Sequence, residues 1–367
     1  MIGSLADLDA ATLEDTQNFF NRWYVPNNVT VTISGDFDIS ETKNLVEKYF
    51  GEIPRGEKIE PFKPQASDLT ETKSLYYEDN FAQVPQLVIV WPTVEQYHPD
   101  SYALDMLIEY LTNGKRAPLN EVLIDEDKLT SNVAGFHYTK EISGEWYLFI
   151  NPNDGEDIDG LVPAIGKALS RFERNGISEA DLDRIKAGIE VDFYGDIQSA
   201  LGKSIQLGEY NLFTDDPGFY KKDIAAIQSV STTDVMRVYE TYIKDNPRLY
   251  LSIVPKDQAS LKLDENYPAQ LADIVEEIVV AGEGAPVDFN PAARVIDEPT
   301  PSAFDRSVEP EFGDAYELPS TEIWRNTLSN GLEIYGLYSD ETPLINFSLR
   351  IDAGRNRGDV DLSLIHI

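Results

Sequence analysis

From Val29 to Ser34 apolar and hydroxylic residues alternate one for one, Val29, Val31 and Ile33 against Thr30, Thr32 and Ser34. That is the period of a strand with one buried face. Pro26-Asn27-Asn28 marks a turn before it, and Gly35 to Asp38 breaks it on the far side. Asp38 and Glu41 have capping-box spacing, and Leu45, Val46, Tyr49 and Phe50 make one helical stripe that stops at Gly51. Upstream, Thr12 caps a predicted helix from Leu13 to Trp23 with Leu13, Phe19, Phe20 and Trp23 on or near one face. This helix-strand-helix piece needs something larger to cover its apolar face.

Gly51 to Pro64 reads as a linker, rich in proline and charge. The pattern then predicts strands near Ser74 to Tyr77 and Gln86 to Trp91, a helix from Asp100 to Thr112, a short helix around Leu119 to Leu123, and strands at Thr130 to Lys140 and Glu145 to Asn151. The last two form a hairpin across Glu141 to Gly144. Helices follow from near Ile158, Ser178, Ile197, Gly218 and Ser231, with Ser178/Asp181 and Ser231/Asp234 spaced as caps, and a strand from Arg248 to Val254 closes the set. Hairpins followed by grouped helices give an α+β class, a mainly antiparallel sheet with helices packed on one face, because a doubly wound parallel sheet needs strict alternation. Pro255 to Pro319 turns to proline, glycine and acid, with one amphipathic stretch near Leu271 to Val280. Beyond it, Trp324 to Gly358 opens a new pattern: Thr327 to Gly331 as a turn, strands at Leu332 to Leu337 and Ile345 to Ile351, and a break at Asp340 to Pro343.

With 367 residues and 42% hydrophobic content the chain is expected to form two or more units. Sixty-five Asp plus Glu against 30 Lys plus Arg leave a formal charge of -35, a field that repels nucleic acid and anionic lipid. No cysteine occurs, so disulfides, thiolate zinc sites and cysteine nucleophiles are excluded together. The longest apolar runs, such as Gln86 to Trp91, fall far short of the roughly 20 residues of a membrane helix, so no membrane insertion is expected.

Three segments resemble the pitrilysin/insulinase zinc metallopeptidases, the M16 family. Ile2 to Asp9 with TLEDTQNFFNRWYVPNNVTVTISGDFD and KYFGEIPRG looks like the close of the family's zinc-bearing first domain, here residues 1–56. Residues 65–254 are similar in element order to its inactive second domain, and NTLSNGLEIYGLYSDETPLINFSLRIDAGRNRGD, within 321–361, to the opening of its third. Residues 255–320 then read as an acidic, proline-rich linker between halves. Leu362 to Ile367 is what the transposon adapter CTGTCTCTTATACACATC encodes in frame, and reads as adapter-derived. The resemblance implies an M16 metallopeptidase-like (LuxS/MPP-like) fold, and an internal fragment of a tandem two-half chain. It also implies a parent that cleaves peptides with zinc inside a closed chamber, bacterial, and periplasmic or otherwise extracytoplasmic, its targeting segment not in this chain.

One departure governs the function. The family's inverted His-x-x-Glu-His motif is missing, and none of the three histidines, His98, His137 and His366, lies three or four residues from another histidine. No catalytic, cofactor-binding or metal-ligating residue is therefore assigned. Zinc belongs to the full-length parent and none is expected in this chain. The partners are the parent's peptide substrate and the missing N- and C-terminal portions. The bland reading also prevails for Glu141 and Glu145, for Asp125, Glu126 and Asp127, for Gly282 to Gly284, for the tripeptide Arg357-Gly358-Asp359, and for the glycosylation patterns at Asn28 and Asn346. The chain is expected to supply non-catalytic chamber wall and linker. The alternative is a non-catalytic M16-like scaffold or partner subunit; an acidic extracellular binding module is a weaker third.

Overall fold

The computed structural model describes residues 7, 10–65, 67, 69–154, 156–265, 267–272, 302–309 and 322–351. Its centre is a six-stranded sheet in the order β3-β4-β2-β5-β1-β6. The strands are β1 (Lys73–Asp79), β2 (Gln86–Thr93), β3 (Thr130–Thr139), β4 (Gly144–Pro152), β5 (Leu249–Pro255) and β6 (Gln270–Leu271). The β3/β4, β4/β2 and β2/β5 pairs are antiparallel, whereas β1 lies parallel to both β5 and β6. The sheet is thus mainly antiparallel, as the grouping of elements predicts.

Helices α3 (Ser101–Thr112), α4 (Pro118–Asn120, running on into a π-helical segment Glu121–Glu126), α5 (Ile158–Asn175), α6 (Glu179–Asp196), α7 (Ala200–Thr214), α8 (Tyr220–Ser229) and α9 (Thr232–Val238) follow the sequence reading closely. Ser178, Ser199 and Ser231 each accept the backbone N–H three residues on, satisfying a donor that the first helical turn leaves free. The main core forms where α3, α5 and their neighbours cover the sheet face carrying Leu87, Ile89, Trp91, Trp146, Leu148 and Ile150, all at most 1% exposed. The opposite face is more open, and on it Phe136, Tyr147 and Phe149 stack with centroids 5.1 to 5.7 Å apart. At Gly135 a Cβ would stand 2.5 Å from Ile108 Cδ1, so the missing side chain lets α3 lie directly on β3. The packed unit also continues past Val254: Leu263 is fully buried, Tyr267 stacks on Tyr250, and β6 adds to the sheet, although composition alone reads this stretch as linker.

The N-terminal piece behaves differently. Helices α1 (Leu13–Trp23) and α2 (Ile39–Phe50) form with the predicted caps, Thr12 and Asp38, yet neither contains a buried residue. The predicted strand Val29 to Ser34 is a correction: it has no ladder partner among the described residues, and Val29, Val31 and Ile33 are 52%, 49% and 44% exposed. Its hydroxyl face is the anchored one. Thr32 Oγ1 donates to Ser204 O (2.8 Å), and Asn211 Nδ2 donates to Thr30 Oγ1 (2.9 Å), both on α7. Alternation encodes a face to be buried, whereas a strand also needs a neighbouring edge. Val31→Ser is accordingly expected to change stability by less than about 0.5 kcal/mol in urea titrations, the range of an exposed site, although the pattern places Val31 in a core.

The C-terminal segment is also corrected in part. Leu332 to Leu337 contains strand β8 (Glu333–Gly336), but its partner is β7 (Trp324–Thr327), upstream of the turn at Gly331, where φ is +87°. Ile345 to Ile351 is not a strand, and Ile345 and Phe347 are 96% and 88% exposed. Gly282 to Gly284, Arg357-Gly358-Asp359 and His366 lie outside the described residues.

Candidate functional site

The enclosed cluster of titratable side chains lies under α3, α7 and α8. Asp105 sits on α3 between Leu104 and Met106, and the close approach at Gly135 brings its Oδ1 within 2.8 Å of His137 Nδ1 on β3. His137 Nε2 is 2.8 Å from Thr93 Oγ1 at the end of β2. Hydroxyl, imidazole and carboxylate thus stand in the order of an acyl-transfer triad. The hydroxyl, however, is sealed: Thr93 is paired with Gly144, where even a Cβ would approach Thr93 Oγ1 to 2.8 Å. It is the carboxylate end that meets a cleft of about 200 Å³. A nucleophile that no substrate can reach does no chemistry, so the relay acts as a tie between two strands and a helix.

The same cleft holds a second node. Asp223, 8% exposed on α8, accepts from Tyr102 (2.8 Å) and Tyr210 (2.6 Å), so each carboxylate oxygen has a phenol donor. Burial first, and then the facing Asp223, push both tyrosines well above the ordinary phenol range. Tyr97 adopts φ +60°, a left-handed conformation uncommon for an aromatic residue, and its hydroxyl donates to Glu209 (3.1 Å) while its ring packs on Tyr210, Phe213 and Phe219. Asp105, its side chain about half exposed at the cleft, is held to β3 by its contact with His137.

Sequence reasoning misses this cluster because its members stand at 97, 102, 105, 209, 210 and 223 with no motif spacing. The available signal is an acid on an apolar stripe, as where Asp223 precedes Ile227 by one helical turn.

The residues singled out in the sequence go elsewhere. Both ring nitrogens of His137 are engaged, and His98 Nδ1 accepts from the Asp100 amide (3.0 Å). Among the described residues no group of three or more His, Asp and Glu is placed to hold a metal, so the described side chains do not fit a zinc ion. Glu126 pairs with Arg171 (2.8 Å) and Lys167 (3.2 Å), which hold its carboxyl at about 2, and Asp127 pairs with Lys167 (2.7 Å). Glu145 pairs with Lys140 (3.0 Å), and Asn28 donates to Trp23 O.

A family model for the "Peptidase M16 inactive domain" matches residues 10–189, from α1 into α6. The zinc protease PqqE of Helicobacter pylori is 26% identical over 264 residues, 69% of this chain and 57% of that one. A solved protease from Helicobacter pylori superposes with a TM-score of 0.62 at 22% identity, covering 69% of this chain and 61% of the other. A peptidase M16 inactive domain from Pseudomonas fluorescens gives 0.57 at 15% identity, over 67% and 58%. The chain therefore spans less than two thirds of the length of each of these three.

Proposed function

We propose that this chain, matched over residues 10–189 by the M16 inactive-domain model and similar to the M16-like peptidase scaffold, belongs to the M16 peptidase family and is the non-catalytic portion of a zinc metalloendopeptidase. In this reading it supplies chamber wall and linker, while the zinc motif and the remaining chamber come from other sequence of the same protein. The observation that carries it is the extended stretch Val29 to Ser34: its hydroxyl face is tied to α7 and its valines and isoleucine face solvent. An extended segment of this kind suits the margin of a sheet whose strands lie in a separate piece. The more open aromatic sheet face around Phe136, Tyr147 and Phe149 supports a wall facing a peptide-filled space. The parent is bacterial and exported in this reading. No described helix is long and apolar enough to cross a membrane.

The chain on its own is expected to bind no zinc and to cleave no peptide. Elemental analysis after dialysis and a peptidase assay with and without chelator check this, and stoichiometric zinc together with chelator-sensitive cleavage would refute it. The absence of a metal cluster among the described residues also suits the alternative, a scaffold or partner subunit that keeps the fold without its ligands. The upstream coding sequence separates the two: an in-frame His-x-x-Glu-His supports the peptidase, and an uninterrupted frame without it supports the scaffold.

A further inference from the structure

A second cleft, of about 570 Å³, opens on the far end of the helical layer, between the loop after α3 and the junction of α5 with α6. Its walls carry Lys115, Arg116, Arg171 and Arg184 against the carboxylates Glu121 and Asp181, a local balance of four positive and two negative charges. That is a net of +2 inside a chain of -35. Arg171 is committed to Glu121 and Glu126. The side chains of Lys115, Arg116 and Arg184 have no ion-pair, hydrogen-bond or ring partner among the described residues. The excess of acids makes this notable, because carboxylates are abundant everywhere else on the surface. Proximity to a helix C-terminus accounts for Lys115 and Arg116 but not for Arg184, which lies in the second turn of α6.

We infer that this cleft binds an acidic peptide segment. Charge complementarity selects the sign of the ligand, and the remaining lining selects its kind. Tyr110 and Phe172 give an apolar floor, and the Asn175 amide with the side-chain oxygen of Asn113, whose Nδ2 is given to Glu109, suits a peptide backbone. A bare anion uses neither feature and fills little of 570 Å³. The inference concerns a site separate from the proposed chamber wall and holds whether or not the parent is a peptidase.

The size of the charge imbalance gives the test an unusual signature. At about 10 mM salt the screening length is roughly 30 Å and the peptide feels the whole acidic molecule, whereas at about 100 mM it is roughly 10 Å and only the cleft acts. Affinity is therefore expected to rise between those two conditions and to fall again near 1 M. The probe is a fluorescein-labelled, end-capped hexapeptide of four glutamates, a tyrosine and a leucine, titrated by anisotropy into the whole chain at 100 mM salt. The triple variant Lys115→Glu, Arg116→Glu, Arg184→Glu should bind on the order of tenfold more weakly, as should the glutamine counterpart of the peptide, given the small value of each exposed pair. Reversing Lys43, Lys63 and Lys256, exposed lysines elsewhere, changes net charge equally and should leave affinity unchanged. All three target side chains are exposed, and unaltered circular dichroism shows the variant folded. Equal binding by both triple variants, equal binding of the glutamine peptide, or full displacement by millimolar inorganic phosphate overturns the inference.

Discussion

Trp146→Ala is expected to destabilise the packed unit by about 3–5 kcal/mol, measured as a drop in the urea midpoint at unchanged slope. Trp146 and Trp91 are 0% and 1% exposed, and their rings meet edge to face at 5.3 Å across the β2/β4 pair. Each indole also has a use for its N–H: Trp91 donates to Ile243 O (3.1 Å) and Trp146 to Leu104 O (3.4 Å). Truncation leaves a cavity bounded by a sheet and α3, neither of which can collapse into it. Trp146→Phe keeps most of the volume and should lose roughly half as much. A midpoint shift below about 1 kcal/mol for the alanine variant would show that this pair is not the centre of the core.

Above about pH 10 the protein is expected to lose stability steeply. Tyr102, Tyr210, Tyr239 and Tyr250 are at most 9% exposed, and burial raises all four, Tyr250 to about 12 and the others beyond it. In the unfolded chain they ionise near 10, so above that pH the unfolded state binds fewer protons and stability falls as pH rises; below it their contribution is fully present. Each such group costs about 1.4 kcal/mol per pH unit, which for four amounts to several kcal/mol by pH 11. Urea midpoints between pH 8 and 11.5 measure the slope. Replacing Tyr102 and Tyr210 together by phenylalanine should flatten it, while lowering stability near neutrality because the buried Asp223 carboxylate loses both donors. A midpoint independent of pH up to 11.5 would contradict the reading.

Much of the domain was legible because its signals are local. Ser178 and Ser231 sit three residues before acids and do cap helices, and the alternation of β3 and β4 around Glu141 to Gly144 does form a hairpin. What failed depended on partners. Val29 to Ser34 and Ile345 to Ile351 have the composition of strands, but composition cannot name the edge that a strand joins. The parallel placement of β1 beside β5 was likewise invisible, since nothing near Lys73 points to Leu249. The cleft was hidden for the same reason: Tyr102, Tyr210 and Asp223 meet only through the packing of three helices.

The placement of β1 bears on how the chain is made. Lys73 to Asp79 waits for Leu249 to Pro255, so during synthesis the sheet stays open until nearly everything between them has left the ribosome. The β2 and β4 strands can already pair, which leaves the β2 edge that β5 later occupies bare for the length of five helices. A nascent chain in that state presents a hydrophobic strand edge to any neighbour. Production at low temperature or with holdase chaperones, which shield that edge until β5 arrives, should therefore raise the soluble yield more than any change to the finished surface.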